Sequence, residues 1–276
     1  MTGEGIPSRS ALQVMVQQSY YNDPLKTVGS FTLHKRTPTL LWYKDGNTNV
    51  VAIRGTDTKD YEDIKADFRI IASQLVKSNR FKKDLATLQS WKTPGEWYGV
   101  GHSLGGAILD EFLRMGLLQS GVSYNAAVQP KDFGQKSDNN RIYNEGDPLY
   151  QVMGRFTNPE VRKNPLTGRP AHSISTFVGG THRTNFLKVN KLEDKGYSLK
   201  ELSKISKVPT SILQQVYDRG IGAYKTNPSS VRLKGSFVKN VSAPMSKKLS
   251  KEQWAMARVY SFLDGNPKHD DDLRQT

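Results

Sequence analysis

Gly101-His102-Ser103-Leu104-Gly105 sets a serine midway between two glycines. A serine hydroxyl is a weak nucleophile until a base takes its proton and an acid orients that base. The G-x-S-x-G spacing suits a nucleophile on a sharp strand-to-helix turn, where crowding leaves no room for side chains two residues away. Such short patterns also recur by chance, so context must carry the weight. Residues 97–101 read as a short strand, and residues 104–118 as a helix with Ala107, Leu109, Phe112, Leu113 and Met115 apolar. The bland alternative is a glycine-rich turn with an idle serine. Ser103 is the expected nucleophile.

In hydrolases built on such a turn, acid and then histidine follow the serine along the chain. There are five histidines. His34 precedes the serine, His102 is its neighbour and is expected to point elsewhere, and His269 lies in an acidic tail. His172 and His182 remain. His172 is preferred because Pro170-Ala171-His172-Ser173-Ile174 looks like a loop entering a helix, while His182 reads as a surface-loop residue. Asp147, in Asn144-Glu145-Gly146-Asp147-Pro148 after a short strand at 141–143, is the expected acid; Asp132 and Asp138 compete from the preceding loop. The developing oxyanion needs donors fixed in advance. Leu104 N–H, at the start of the new helix, supplies one, and Thr56, after Arg54-Gly55, supplies the other through its N–H and hydroxyl.

Positioning these groups requires a sheet. Residues 30–34, 39–43 and 49–54 read as strands, the last a β-branched run suited to a buried central position, with further strands at 124–128 and 141–143. A helix fits residues 9–21, and the charged stretch 59–92 fits two helices broken near Ser78-Asn79. Strand and helix in alternation imply an α/β fold with a mostly parallel sheet, which places chemistry on loops at the carboxyl ends of strands. The chain of 276 residues has 36% hydrophobic residues, a mean hydropathy of −0.61 and no cysteine, so disulfides and thiolate chemistry are excluded. No run is long and apolar enough for a membrane span, and the first residues lack a signal-peptide pattern. No cofactor or metal is required by this chemistry.

Taken together, residues 50–56 (Val-Val-Ala-Ile-Arg-Gly-Thr), Asp63 and Asp67, the Gly101–Gly106 run, Gly146-Asp147-Pro148 and His172-Ser173-Ile174 resemble the class 3, or fungal-type, lipases over roughly residues 40–180. The resemblance implies an α/β-hydrolase fold and hydrolysis of a lipid or phospholipid ester through an acyl-serine, with Ser103, Asp147 and His172 as triad and Thr56 and Leu104 as oxyanion donors. It departs in the charge-dense 57–67 segment, where that family often carries a long apolar lid, and in the short gap from Asp147 to His172.

Net charge is +14, and residues 188–276 carry 17 Lys and Arg against 9 Asp and Glu. A hydrolase domain over 1–187 and a basic, mainly helical module over 188–276 are therefore expected, the latter drawn to anionic membranes or polyanions. Helices are expected at 198–206, from Thr210 to near Gly220, and at 250–262, with a mobile tail at 269–272. The first two have helix-turn-helix spacing. The second of them exposes mainly Gln214, Gln215 and Asp218, so a helical pair packed on its own core is the plainer reading. Residues 218–228 and 252–262 resemble a small module of proteins from large DNA viruses and phages. That resemblance implies a viral protein in the host cytoplasm or the virion, touching capsid or nucleic acid through this module.

Overall fold

The computed structural model describes residues 6–56, 74–163, 172, 181–232, 234, 244–266 and 269–274. The chain divides into two compact units, Met1–Gly179 and Gly180–Thr276. The division lies eight residues before the 187/188 boundary drawn from charge. The reason is hydrophobic: Phe186 and Leu187 are buried with Leu202, Leu213 and Val259 in the second unit's core.

The first unit is an eight-stranded sheet whose spatial order follows the chain: β1 Thr27–Val28, β2 Phe31–Arg36, β3 Leu40–Asp45, β4 Thr48–Ile53, β5 Glu96–His102, β6 Ser120–Tyr124, β7 Asn139–Asn144 and β8 Glu160–Arg162. The strands from β1 to β4 pair antiparallel, and those from β4 to β8 pair parallel. Val50 sits opposite Tyr98, Val100 opposite Val122, and Tyr124 opposite Ile142. Every residue of β4 is buried, as expected of a strand covered on both faces.

Flanking helices are α1 Arg9–Gln18, α2 Asn79–Trp91, α3 Leu104–Arg114 and α4 Pro148–Val152. α3 is buried from Leu104 to Phe112; its Ala107, Ile108 and Phe112 join Trp42, Val51, Ile53, Trp97 and Tyr143 in the main core. Ser78 marks the expected helix break, its hydroxyl capping α2 by accepting from Phe81 N–H at 3.1 Å. Most of the helix expected before it, with Asp63, Asp67 and the charge-dense 57–67 segment, falls outside the described residues, and its last residues form a 3-10 turn at Leu75–Lys77.

Three expectations shift. The strand placed at 124–128 is β6, which ends at Tyr124 because Asn125 turns to φ 43°. α3 stops at Arg114 rather than 118, followed by Gly116 at φ 67°. α1 ends at Gln18, with Ser19 as its C-cap.

The second unit is helical: α5 His182–Val189, α6 Leu199–Ser206, α7 Thr210–Thr226 and α8 Lys251–Leu263. Ser198 with Glu201, and Ser250 with Gln253, form reciprocal caps at the starts of α6 and α8. Leu202, Leu213, Val216 and Val259 are fully buried, each contributing about 1.5–3 kcal/mol of apolar burial. α7 runs past Gly220, which is no terminator: a β-carbon there would lie 2.7 Å from Ala255 Cα, so glycine lets α7 and α8 approach closely. The tail is also not loose. Asp270 is buried and pairs with Arg258 at 2.7 Å and Arg219 at 3.1 Å. No helix among the described residues is long and apolar enough to cross a membrane.

Candidate active site

β5 runs straight into α3, and Ser103 occupies the junction at φ 56° and ψ −125°. That backbone region is costly for any residue with a side chain, about 1–3 kcal/mol, and persists only where its surroundings enforce it. Three hydrogen bonds do so: Ser103 N–H donates to Tyr124 C=O at 3.1 Å, and Ser103 C=O accepts from Gly106 N–H at 3.0 Å and Ala127 N–H at 2.9 Å. The flanking glycines are dictated by space. A β-carbon on Gly101 would lie 2.5 Å from the Gly105 carbonyl oxygen, and one on Gly105 would collide with the Ile53 carbonyl. The turn therefore has the strained, glycine-flanked geometry expected from the spacing.

Asp147 reaches its position through a three-residue device. Gly146 takes φ 82°, Asp147 caps α4, and Pro148 occupies the first helical position. Asp147 Oδ1 accepts from Leu149 N–H at 2.8 Å and Tyr150 N–H at 3.0 Å, and Oδ2 accepts from His172 Nδ1 at 2.7 Å. Both partners are buried, Asp147 completely. With Nδ1–H given to the carboxylate, Nε2 of a neutral His172 ring is the unprotonated nitrogen. The remainder of the 170–174 segment is outside the described residues. The competing acids are otherwise engaged or exposed: Asp132 pairs with Arg114, and Asp138 is solvent-exposed.

His102 does not point away. Its ring lies 5.0 Å, centroid to centroid, from that of His172, and its Nε2 is 2.8 Å from the His172 carbonyl oxygen. A carbonyl only accepts, so Nε2 carries the proton and Nδ1 is an acceptor. Tyr20 O–H, 2.6 Å away, donates to that Nδ1 and itself accepts from Gly55 N–H at 2.9 Å. Burial first, and the neighbouring His172 second, push the His102 pKa down to about 3. His102 thus stays neutral across ordinary pH, and this chain of bonds keeps one polarity.

The same chain reaches the loop after β4. Gly55 packs so tightly on the turn that a β-carbon there would lie 2.6 Å from the His102 carbonyl oxygen and 2.9 Å from Ser103 Cβ. Arg80 holds the loop from its other side, donating to the Arg54 carbonyl at 2.7 Å while paired with Asp84 at 2.5 Å. Thr56, next in line, is exposed, and Leu104 is the buried first residue of α3. So Ser103 with Leu104, Asp147 with His172, and the Gly55-Thr56 loop are brought together through the bonds of His102 and Tyr20. Sequence reasoning missed Tyr20: it lies 82 residues from His102, and no local pattern couples them.

His182 belongs to the second unit. It is the first residue of α5 rather than a loop residue, and its Nδ1 is 2.7 Å from Asp264 Oδ2, within the second unit. Among the described residues, no group of three or more His, Asp or Glu side chains is placed to hold a metal ion. No protein-family model matches the chain, and a search of curated proteins finds no match either.

Proposed function

We propose that the first unit is a serine carboxylester hydrolase of the α/β-hydrolase type, acting on lipid esters such as acylglycerols or phospholipids. The observation that carries this reading is one combination: a serine held at φ 56° between a parallel strand and a helix, with a buried aspartate–histidine pair at 2.7 Å tied to the residue beside it. The buried pair supports catalysis here because a serine in a strained backbone conformation is held beside it.

In the proposed reaction Ser103 Oγ attacks the ester carbonyl carbon while its proton passes to Nε2 of His172. Asp147 holds the ring and stabilises the imidazolium. The oxyanion formed from the carbonyl oxygen accepts hydrogen bonds from Leu104 N–H and from Thr56, at the amino end of α3 where the helix dipole favours negative charge. The C–O bond to the alcohol then breaks, His172 returns the proton to the departing alkoxide, and an acyl-serine remains. Water, deprotonated by His172, releases the carboxylic acid and restores the hydroxyl. The reading requires Nε2 of His172 to reach the Ser103 hydroxyl when substrate is bound.

Covalent labelling with a fluorophosphonate tests it directly. Wild type should label and Ser103→Ala should not, and a panel of short- and long-chain acyl esters should rank the substrates. A folded wild-type protein that neither labels nor turns over any ester rejects the hydrolase and leaves a non-catalytic body.

A further inference from the structure

We propose that α6, the turn after it and α7 form a helix-turn-helix surface that docks on duplex DNA. The inference stands on the second unit alone and is independent of ester hydrolysis.

The turn is built, not incidental. α6 ends where Lys207 adopts φ 61° and ψ 12°, and Pro209, at φ −55° and ψ 139°, bars continuation and launches α7. Ser203 Oγ donates to the Val208 carbonyl at 2.6 Å, and Val208 N–H donates to Ser206 Oγ at 3.3 Å. Leu202, Leu213 and Val216 are buried between the helices and α8, with Ile205, Val208 and Ile212 packed at the edge. That burial commits one face of α7 to the core. Its other face, over the first two turns, presents Thr210, Ser211, Gln214 and Gln215 to solvent. These side chains both donate and accept, as base edges in a major groove require; Gln214 Nε2 already donates to Asp218 Oδ1 at 2.9 Å, which leaves Gln215 as the glutamine open to pair with adenine.

The first two turns of α7 carry no cation; lysines lie instead on the neighbouring helix and the turn. Lys200, Lys204 and Lys207 are exposed and form no ion pair among the described residues. Residues 180–276 carry 18 Lys and Arg against 9 Asp and Glu. The acids are largely consumed internally: Glu193, Asp194, Glu252, Asp270 and Asp272 by ion pairs, Asp264 by His182, and Glu201 by its cap. Apart from Asp218, exposed on the third turn of α7, the outward charge is therefore positive, with lysines on one helix and hydrogen-bonding side chains on the next. A first helix that crosses the phosphates and a second that enters the groove have this arrangement. Duplex RNA does not offer the same site, because its major groove is too narrow for a helix. A bilayer is disfavoured because the exposed face of α7 has no apolar anchor to insert; the exposed large apolar residues described are Ile6, Val76, Met115, Phe156 and Val161, all in the first unit.

The test is fluorescence anisotropy of the full chain with a short labelled DNA duplex of mixed sequence, titrated with salt. Duplex RNA and vesicles of mixed phosphatidylcholine and phosphatidylglycerol serve as competing probes. Binding to DNA should weaken with salt, and the variant Lys200→Gln, Lys204→Gln, Lys207→Gln should lose about 2–3 units of the logarithmic salt slope. Gln214→Ala with Gln215→Ala should cost about tenfold on a selected duplex and less on random sequence. Both sets of positions are exposed, and thermal melting confirms that the variants fold. A control variant with Lys188, Lys191 and Lys225 changed to Gln should retain most of the slope, and Ser103→Ala should bind as wild type does. The proposal falls if DNA is not bound at low salt, if the control triple weakens binding as much as the first, or if RNA or vesicles are bound in preference.

Discussion

Among the described residues, two histidine–aspartate pairs have the same length. His172 Nδ1 meets Asp147 Oδ2 at 2.7 Å, and His182 Nδ1 meets Asp264 Oδ2 at 2.7 Å. Both aspartates are buried. What differs is the setting. Asp147 has its other oxygen filled by two backbone N–H groups at the start of α4, so its ring is aimed by a rigid element. Asp264 follows α8 and shares its bonded oxygen with Asn185 at 3.3 Å, while the His182 side chain is one-third exposed and Asn266 lies 3.5 Å from its Nε2. Burial raises the Asp264 pKa, with His182 pulling against it. The first pair is tied by backbone to a strained serine; the second ties the start of α5 to the end of α8. An imidazole on a buried carboxylate is thus a general way to satisfy an acid, and it points to catalysis only when a nucleophile is held beside it.

The contrast breaks most sharply on removal of each ring. His172→Ala should lower kcat by about 10⁴-fold or more, in the range found when a triad base is lost. His182→Ala should leave kcat within about threefold, yet destabilise the second unit by about 1–3 kcal/mol by stranding a buried carboxylate. Ester turnover and denaturant melts of the two variants, side by side, decide it. If His182→Ala abolished turnover while His172→Ala spared it, the assignment of the base would be reversed.

Much of this was legible along the chain, and the reason is locality. The serine turn, the Gly146-Asp147-Pro148 cap and the helices at Ser198 and Ser250 are each specified by residues within a few positions of one another. The β4 strand announced itself by a continuous apolar run. What failed was nonlocal. Gly220 reads as a helix end until Ala255 is seen packed against it, and the acidic tail reads as solvent-exposed until Arg219 and Arg258 are found around Asp270. His102 was passed over because its meaning depends on Tyr20, a residue on another element.

That missed link sharpens the comparison, since it is what the second pair lacks. Tyr20→Phe keeps the ring and deletes one oxygen, leaving Gly55 N–H and His102 Nδ1 without their shared partner. Stability should fall by roughly 2–6 kcal/mol, from two buried polar groups at about 1–3 kcal/mol each. If the chain also positions the Gly55-Thr56 loop, kcat should fall about tenfold with KM little changed, because oxyanion contacts strengthen only in the transition state. A stability loss without any change in kcat would make the link purely structural.

A third buried carboxylate gives the smallest effect and the cleanest sign. Asp110 on α3 is paired not with a histidine but with Arg141 Nη2 at 2.9 Å and Asn139 Nδ2 at 2.8 Å. Desolvation outweighs both partners and raises its pKa from 3.8 to about 6. The folded state therefore binds this proton more tightly than the unfolded chain does. The corresponding stability is fully present below about pH 4 and is lost as pH rises through about 6. Against Asp110→Asn, which keeps the shape and cannot titrate, wild type should lose up to about 3 kcal/mol of relative stability across that window. Any constant offset from the substitution cancels in the pH dependence. Denaturant melts of both proteins at stepped pH measure it: a difference that stays flat from pH 4 to 7, or grows in the opposite direction, would show that Arg141 holds the carboxylate charged despite its burial.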